Sequence, residues 1–357
     1  MPSSNSPPPG AGEASKPTII QWIVDTRPLW PKATETKHLE QSASRALALL
    51  NADERTTVLK YFHVRDAKLS LASHLLKRYV VSRFCSVPWS LSTPSRDPAT
   101  GKPRWQDPQG REPLRFNVSH QAGLVALFAV HSNNDSDHGH GNGNGNGDGP
   151  EVGVDVVCTS ERFDRDLASL LPDPVASWPA FVDVYAEVFS PQEVAYLCRD
   201  VPRLLPPRSK LGPTVSASPR ASPREVAAFL LRYFYAAWCL REAYIKMTGE
   251  ALLAPWLRDL EFRGFRPPEP EQDFVGDEGL CKRGEEVADG TVVRGHEIYF
   301  EGRRVEDANV CLRALGHDYM VCAAVRTPRH KEDGLGFRLG DFEAVSMDEI
   351  VEFGEAH

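Results

Sequence analysis

Trp238, Glu242 and Lys246 stand four residues apart in the stretch FYAAWCLREAYIKMTGEAL, 234–252. On an α-helix that spacing projects them onto roughly one face, with Arg241 beside them. A carboxylate and an ammonium in one column can be an ordinary surface ion pair worth about 0.3 kcal/mol. They can also be an oxygen ligand for a cation next to a positive charge for a phosphate. A second carboxylate, Asp155, lies in GVDVV, where alternation puts Val152, Val154 and Val156 on one strand face and Gly153, Asp155 and Val157 on the other. A carboxylate on an otherwise apolar strand needs solvent, a hydrogen-bond donor or a cation. Alone it reads as an edge-of-sheet aspartate; with Glu242 it offers two hard oxygen donors of the kind that hold Mg²⁺ together with phosphates and waters.

Other polar residues could grip a phosphate. NVSHQAG sets a hydroxyl, an imidazole and an amide in succession at Ser119, His120 and Gln121, and GKP places Lys102 on a Gly/Pro loop with Arg96 just ahead of it. Each has a plain alternative: Ser and His in a polar turn, a solvated lysine, a solvated arginine. Arg55 and Arg65, flanking the first long helix, have the same two readings. His138 and His140 could bind a transition metal, but the glycine repeat around them reads as a linker.

The elements that must position these groups follow from periodicity. The first fifteen residues are rich in Pro, Ser and Gly and are expected to be disordered. TIIQWIVDTR reads as a strand. Asp66 to Phe84 is an amphipathic helix with Leu69, Ala72, Leu75, Leu76, Tyr79 and Val80 on one stripe and Lys68, Lys77, Arg78 and Arg83 elsewhere. LRFNVSHQAGLVALFAV alternates, turns through a polar corner at Ser119 to Gly123 and returns as an apolar strand. The repeat SNNDSDHGHGNGNGNGDGP can bury nothing and is expected to be a flexible insertion, 132–150, after which EVGVDVV resumes as a strand. WPAFVDVYAEVFSPQEVAYL reads as two helices broken at Ser190 and Pro191. A Pro/Ser-rich loop, 202–222, ends in SPRE, a capping box with Pro at the first helical position, so the helix carrying Glu242 begins there and stops at Gly249. LRDLEF, EIYFEGRRV and HDYMVCAAV read as strands, and the acidic tail, 330–357, as peripheral. Helices and strands do not alternate strictly, which favours α+β over a doubly wound parallel sheet. The ordered parts divide into 16–131 and 151–329.

Composition sets outer bounds. The chain has 357 residues, 41% hydrophobic and 25% charged, the balance of a globular protein long enough for one large domain or two smaller ones. The net charge of -8 argues against wholesale nucleic-acid binding, so an anionic ligand needs a local basic site. No run of eighteen apolar residues and no secretory signal pattern occurs, which makes the cytoplasm the expected compartment. Seven scattered cysteines without CxxC spacing read as buried, reduced thiols.

In chain order the set reads GKP, FNVSHQ, GVD, FSPQE and WxxREAYxK. That order resembles the Sfp-type 4′-phosphopantetheinyl transferases, whose usual pattern has FNxSH, GxD and WxxKExxxK, and the resemblance runs from Asp66 to Val325. The glycine-rich and proline-rich insertions resemble those of fungal members. The family transfers the 4′-phosphopantetheine arm of coenzyme A to a serine of a carrier protein, using Mg²⁺, with Mn²⁺ as an alternative ion.

The resemblance implies two similar α+β subdomains related by a pseudo-twofold axis, with the active site in the cleft between them, and a monomer. It implies that Asp155 and Glu242 bind the metal, that Glu242 is the base for the carrier serine, and that Lys246 lies near the phosphates. It implies further that Ser119 and His120 contact the nucleotide 3′-phosphate, that Lys102 is the GKP lysine, and that Arg241 stands for a usual lysine near the cofactor, keeping charge but not shape. Bacterial members carry a second acid two residues after the aspartate, where this chain has Val157; Gln121 is the expected third ligand, directly or through water. The implied partners are carrier domains of fatty acid synthase, polyketide synthase, nonribosomal peptide synthetase and aminoadipate reductase, without nucleic acid or membrane. Two rivals remain at this point. One is a non-catalytic coenzyme A or carrier-binding module of the same fold. The other, a different Mg²⁺-dependent phosphotransferase, lacks a GxxxxGK[ST] loop or an HRD and DFG set.

Overall fold

The computed structural model describes residues 17–98, 100–132, 149–206, 221–250, 254–270 and 290–357. The expected disordered start, the glycine repeat with His138 and His140, Cys281 and the centre of the proline-rich loop lie outside those residues. Within them the periodicities translate into elements much as expected. β1 (Thr18–Asp25), α1 (Val64–Cys85), β2 (Leu114–Gln121) and β3 (Leu124–His131) make the first half. β4 (Glu151–Cys158), α2 (Pro223–Thr248), β5 (Val292–Arg294), β6 (Ala308–Leu315) and β7 (Tyr319–Arg326) make the frame of the second. A small sheet of Leu260–Arg263, Glu297–Phe300 and Arg303–Arg304 lies beside the second half. The polar corner is tighter than expected: Ser119, His120 and Gln121 are still strand, and the turn is Ala122–Gly123, with φ of 47° and 94°, the positive pair a two-residue hairpin needs.

The halves share one connectivity. In the first, β1 is followed by the long α1 and the β2–β3 hairpin, and the strands lie in the order β1-β3-β2. In the second, β4, α2 and the β6–β7 hairpin repeat the scheme in the order β4-β7-β6, again antiparallel throughout. Three apolar clusters give four layers. Leu71, Leu75, Tyr79, Phe116 and Leu127 join α1 to one face of its sheet. Ala237, Leu240, Ala243, Val157, Leu312 and Met320 join α2 to one face of the other. Ile23, Ala126, Phe128, Val154, Val156, Val321 and Ala323 fill the space between the two sheets. The result is helix, sheet, sheet, helix, each strand face committed by its alternation.

The acidic tail is not peripheral. Residues β8 (Glu343–Ala344) pair with Trp22 and Ile23 as the fourth strand of the first sheet, and α3 (Met347–Ala356) packs onto α1 with Ile350, Val351 and Met347 buried in the first half's core. Charge composition hid an amphipathic helix whose Ser346 accepts the Glu349 N–H as an N-cap. On the way back the chain is held from both halves: Gln21 accepts the Gly340 N–H at 2.7 Å, and Arg313 donates to the Gly340 carbonyl at 2.6 Å.

Arg78 is also not a surface charge. It is 3% exposed and forks onto Glu54, with Nη2 2.7 Å from Oε2, tying the helix Ala52–Leu59 to α1. Burial alone would raise the Glu54 carboxyl, but the hydrogen bonds from His74 and Arg78 and the Arg78 charge bring it down from 4.5 to about 2. A depressed carboxyl stabilises fully above its unfolded pKa and loses that stabilisation as pH falls through the folded one, here about 3 kcal/mol between pH 4.5 and 2. Glu54→Gln is therefore expected to flatten the acid limb of stability in that window, measured by urea unfolding at stepped pH. In the same assay Ile350→Ala should cost about 3 kcal/mol; a wild-type midpoint in that variant would return the tail to the periphery.

Candidate active site

The helix that carries Glu242 and Lys246 starts where the capping box says. Ser222 Oγ accepts the Glu225 N–H, Glu225 Oε2 accepts the Ser222 N–H at 2.7 Å, and Pro223 takes the first turn. It ends at Gly249 with φ 84°. What brings it against β4 is Gly153: any Cβ there would collide with the Ala243 carbonyl and the Met247 backbone. With that approach made, Gly153, Asp155 and Val157 face α2 as the alternation requires, and Val157 simply fills the core.

Asp155 and Lys246 then meet. Lys246 Nζ lies 2.6 Å from Asp155 Oδ1 and donates to Ser119 Oγ at 2.9 Å, while the Ser119 hydroxyl donates to the same Asp155 oxygen at 2.9 Å. Burial opposes the Lys246 charge, but the charge and hydrogen bond of Asp155 outweigh it and hold the ammonium above its usual pKa. Glu242, one turn back on the half-buried face, is pushed up to about 7, first by burial and then by the Asp155 charge, with Lys246 opposing. Two carboxylates near enough for the Asp155 charge to raise Glu242 offer oxygen donors of the kind a hard divalent cation takes. Among the described residues no three His, Cys, Asp or Glu side chains converge on one point. Trp238 packs with Tyr185, Phe189 and Phe234 and steadies the same helix.

The strand β2 supplies the other wall. Asn117 Oδ1 accepts the Val154 N–H at 3.0 Å and Gln121 Oε1 accepts the Cys158 N–H at 3.1 Å, so alternate side chains of β2 satisfy the outer edge of β4 on either side of Ser119. The Gln121 amide nitrogen donates to Glu161 at 2.7 Å. Its oxygen is thus already engaged, with one lone pair left. Lys102 caps the end of α2, its Nζ 2.6 Å from the Met247 carbonyl, and burial lowers it to about 8.

Two expected contacts change. Arg241 does not face the cofactor: it is 1% exposed, donates to the Val188 carbonyl at 2.5 Å and to those of Leu257 and Leu260, and pairs with the buried Glu193 at 3.3 Å. One residue of helix turns it about 100° from Glu242, into the core. Ser119 and His120 do not share a target either, because alternation sends Ser119 toward Asp155 and His120 toward the α1 side with Phe116 and Val118. Arg96 is exposed and donates to the Gly101 carbonyl at 3.0 Å. Arg55 donates to the Leu47 carbonyl and Arg65 lies 3.7 Å from Asp66. Asn117, Glu161 and Glu193 were not singled out from the sequence. Glu193 had a legible signal, the SPQE capping box, which the structure bears out while also aiming the carboxylate at the Phe262 N–H.

Comparison with known proteins gives matches on both halves. The family model "4'-phosphopantetheinyl transferase, N-terminal" matches residues 37–132, and "4'-phosphopantetheinyl transferase superfamily" matches 151–288. "4'-phosphopantetheinyl transferase 1" of Fusarium mangiferae is 46% identical over 96% of this chain and 97% of its own. "4'-phosphopantetheinyl transferase NpgA" of Emericella nidulans is 33% identical over 92% and 90%. An "L-aminoadipate-semialdehyde dehydrogenase-phosphopantetheinyl transferase" of Schizosaccharomyces pombe is 27% identical over 50% and 58%.

Glu193→Ala leaves the Arg241 guanidinium buried without its counter-charge and is expected to cost about 3 to 5 kcal/mol of stability. The KM for the small-molecule substrate of the folded fraction should stay within about twofold, since a group that meets no ligand carries no binding. Unfolding curves paired with initial rates check both, and a large KM change with wild-type stability would return Arg241 to the site.

Proposed function

The chain belongs to the 4′-phosphopantetheinyl transferase superfamily, and from that premise we propose that Asp155 and Glu242 hold a Mg²⁺ ion and that Lys246 serves the phosphates of the substrate. The enzyme transfers the 4′-phosphopantetheine moiety of coenzyme A to a serine of a carrier-protein domain, converting apo carrier to holo and releasing 3′,5′-ADP. The observation that supports the residue assignment is one convergence: Asp155 from β4, Lys246 from α2 and Ser119 from β2 within hydrogen-bond distance, with the Glu242 carboxylate close enough to be raised by the Asp155 charge. A complete set of this kind favours turnover over a silent binding module.

The carrier serine hydroxyl attacks the phosphorus that bears the pantetheine arm, a new O–P bond forms, and the bond to the bridging oxygen breaks so that the electron pair leaves on 3′,5′-ADP. Glu242 receives the serine proton on a carboxylate oxygen. Lys246 offers its ammonium to the pyrophosphate oxygens, and Asp155, fixed by Ser119, keeps that ammonium in place. Asp155 and Glu242 would hold the Mg²⁺ or Mn²⁺ ion, which would supply positive charge against the charge that builds on the pyrophosphate. Gln121, whose amide oxygen accepts the Cys158 N–H, would add that oxygen to the ion directly or through a water. His120, on the strand face opposite Ser119, and the exposed Arg96 are left to meet the nucleotide, while Ser119 holds Asp155 and Lys102 caps α2.

The carriers we propose are domains of fatty acid, polyketide and nonribosomal peptide synthases and an aminoadipate reductase, the last supported by the printed name of the Schizosaccharomyces relative. Among the described residues no helix is long and apolar enough to cross a membrane; that the enzyme is a monomer working in the cytoplasm is part of the proposal.

Asp155→Ala and Glu242→Gln should each lower apo-to-holo conversion by more than about a hundredfold while the circular dichroism spectrum stays that of the wild type. The mass gain of an apo carrier after incubation with coenzyme A and Mg²⁺ reads this directly; full conversion by either variant removes the metal assignment. Gln121→Ala should raise the Mg²⁺ concentration for half-maximal rate by about tenfold, and an unchanged Mg²⁺ dependence would leave Gln121 only its strand-edge role.

A further inference from the structure

Two consecutive residues at the tip of the β2–β3 hairpin are held from the second half, and the two holders face each other. Gln121 Oε1 accepts the Cys158 N–H at 3.1 Å, and the Ala122 carbonyl accepts the Tyr319 hydroxyl at 2.6 Å. Cys158 ends β4, Tyr319 begins β7, and they lie directly opposite in the sheet register. Tyr319 is 6% exposed and belongs to the apolar layer between the sheets. The turn needs this hold. Ala122 stands at φ 47°, in the left-handed region that a Cβ disfavours and where a two-residue hairpin turn ordinarily takes Asn, Asp or Gly. Such a conformation persists where its surroundings over-determine it.

The first half completes the clasp. Thr26 gives both its N–H and its hydroxyl to the Gly123 carbonyl, each at 2.8 Å. Arg27 forks onto Asp25 at 2.9 and 2.6 Å and passes so close to the turn that any Cβ on Gly123 would collide with it. Its guanidinium lies 5.4 Å from the centre of the Tyr319 ring, a cation–π distance. The ring is thus fixed by the half whose turn its hydroxyl holds. A shift of that turn moves the Gln121 carboxamide, whose nitrogen also donates to Glu161 at 2.7 Å, and the Ser119 hydroxyl two residues back on the same strand face, 2.9 Å from Asp155. We propose that Tyr319 is a positioning residue for the metal side of the site: by holding the Ala122 carbonyl it sets the reach of Gln121 toward β4, and so tunes affinity for the divalent cation from a buried place between the sheets. This rests on the reading above that Asp155 and Glu242 hold the ion and that Gln121 adds its oxygen. It brings in β7, an element that carries none of GKP, FNVSHQ, GVD, FSPQE or WxxREAYxK.

The test is Mn²⁺ binding to the full chain in the presence of coenzyme A, read from the electron paramagnetic resonance signal of the free ion, together with amide hydrogen exchange of the metal-free protein. The proteins are the wild type, Tyr319→Phe, Tyr319→Phe combined with Ala122→Gly, and Asp155→Ala. Tyr319→Phe keeps the ring beside Arg27 and removes the hydroxyl alone. It should weaken Mn²⁺ binding about tenfold while the KM for an apo carrier moves by less than about twofold. Exchange at Gln121 and Leu124, which pair across the turn, should quicken about tenfold. Ala122→Gly removes the Cβ that makes the turn costly, so the double variant should return to within about twofold of the wild-type affinity. Wild-type Mn²⁺ affinity in Tyr319→Phe overturns the inference and leaves the metal site intact, whether or not exchange quickens. A double variant as weak as Tyr319→Phe also overturns it, because the hydroxyl would then act otherwise than through the turn. An Asp155→Ala variant that binds Mn²⁺ like the wild type removes the metal reading itself and the role of Tyr319 with it. Thermal melts of every variant separate weakened binding from loss of fold.

Discussion

An unpaired strand edge governs the arrangement of the whole site. β4 is the outermost strand of its sheet, so alternate N–H and C=O groups on its free side need partners, and a buried group left without one costs about 1 to 3 kcal/mol. A neighbouring strand would satisfy them and close the two sheets into one. The chain instead uses side chains: Asn117 and Gln121 take the N–H groups of Val154 and Cys158. Side chains are longer than a backbone hydrogen bond, so the sheets stay separate, and between the two amides Ser119 is left facing Asp155. The polar residues of FNVSHQ are thus first a joint between halves. Their chemistry depends on the joint being made.

The helix α2 serves two environments at once. Glu242 and Arg241 are neighbours in sequence but about 100° apart around the axis, one in the site and the other bonded to three carbonyl-bearing residues and Glu193 in the core. A buried fork of this kind fixes the rotation of the helix about its own axis, and with Gly153 setting its distance from β4, the column of Glu242 and Lys246 has little freedom left. Placement on a rigid element is what a reacting group needs when positions must hold to a fraction of an ångström.

Much of this was legible in the residues. The α2 boundaries follow from Ser222, Pro223, Glu225 and Gly249, and the facing of Asp155 follows from strand alternation. Period 2 also separates Ser119 from His120, although their adjacency in SHQ invites a shared target. What could not be read was burial of charge. Arg241 and Arg78 look like surface residues on amphipathic helices, and only the fold shows that Glu193 and Glu54 wait for them in the core. The shared connectivity of the halves leaves no visible repeat in the residues, because a layer of hydrophobic side chains constrains pattern and volume far more than identity.

The return of the chain into its first sheet has a temporal side. β1, α1 and the β2–β3 hairpin are synthesised early, but Val345, Met347, Ile350 and Val351, which close their core, come only after the entire second half. Domains ordinarily fold as units in the order in which they emerge from the ribosome. Here the first half to be made is the last to be completed, so the nascent polypeptide carries an open apolar surface through most of its translation. Assembly of the catalytic seam, which needs β2 in place against β4, becomes a late event of biogenesis.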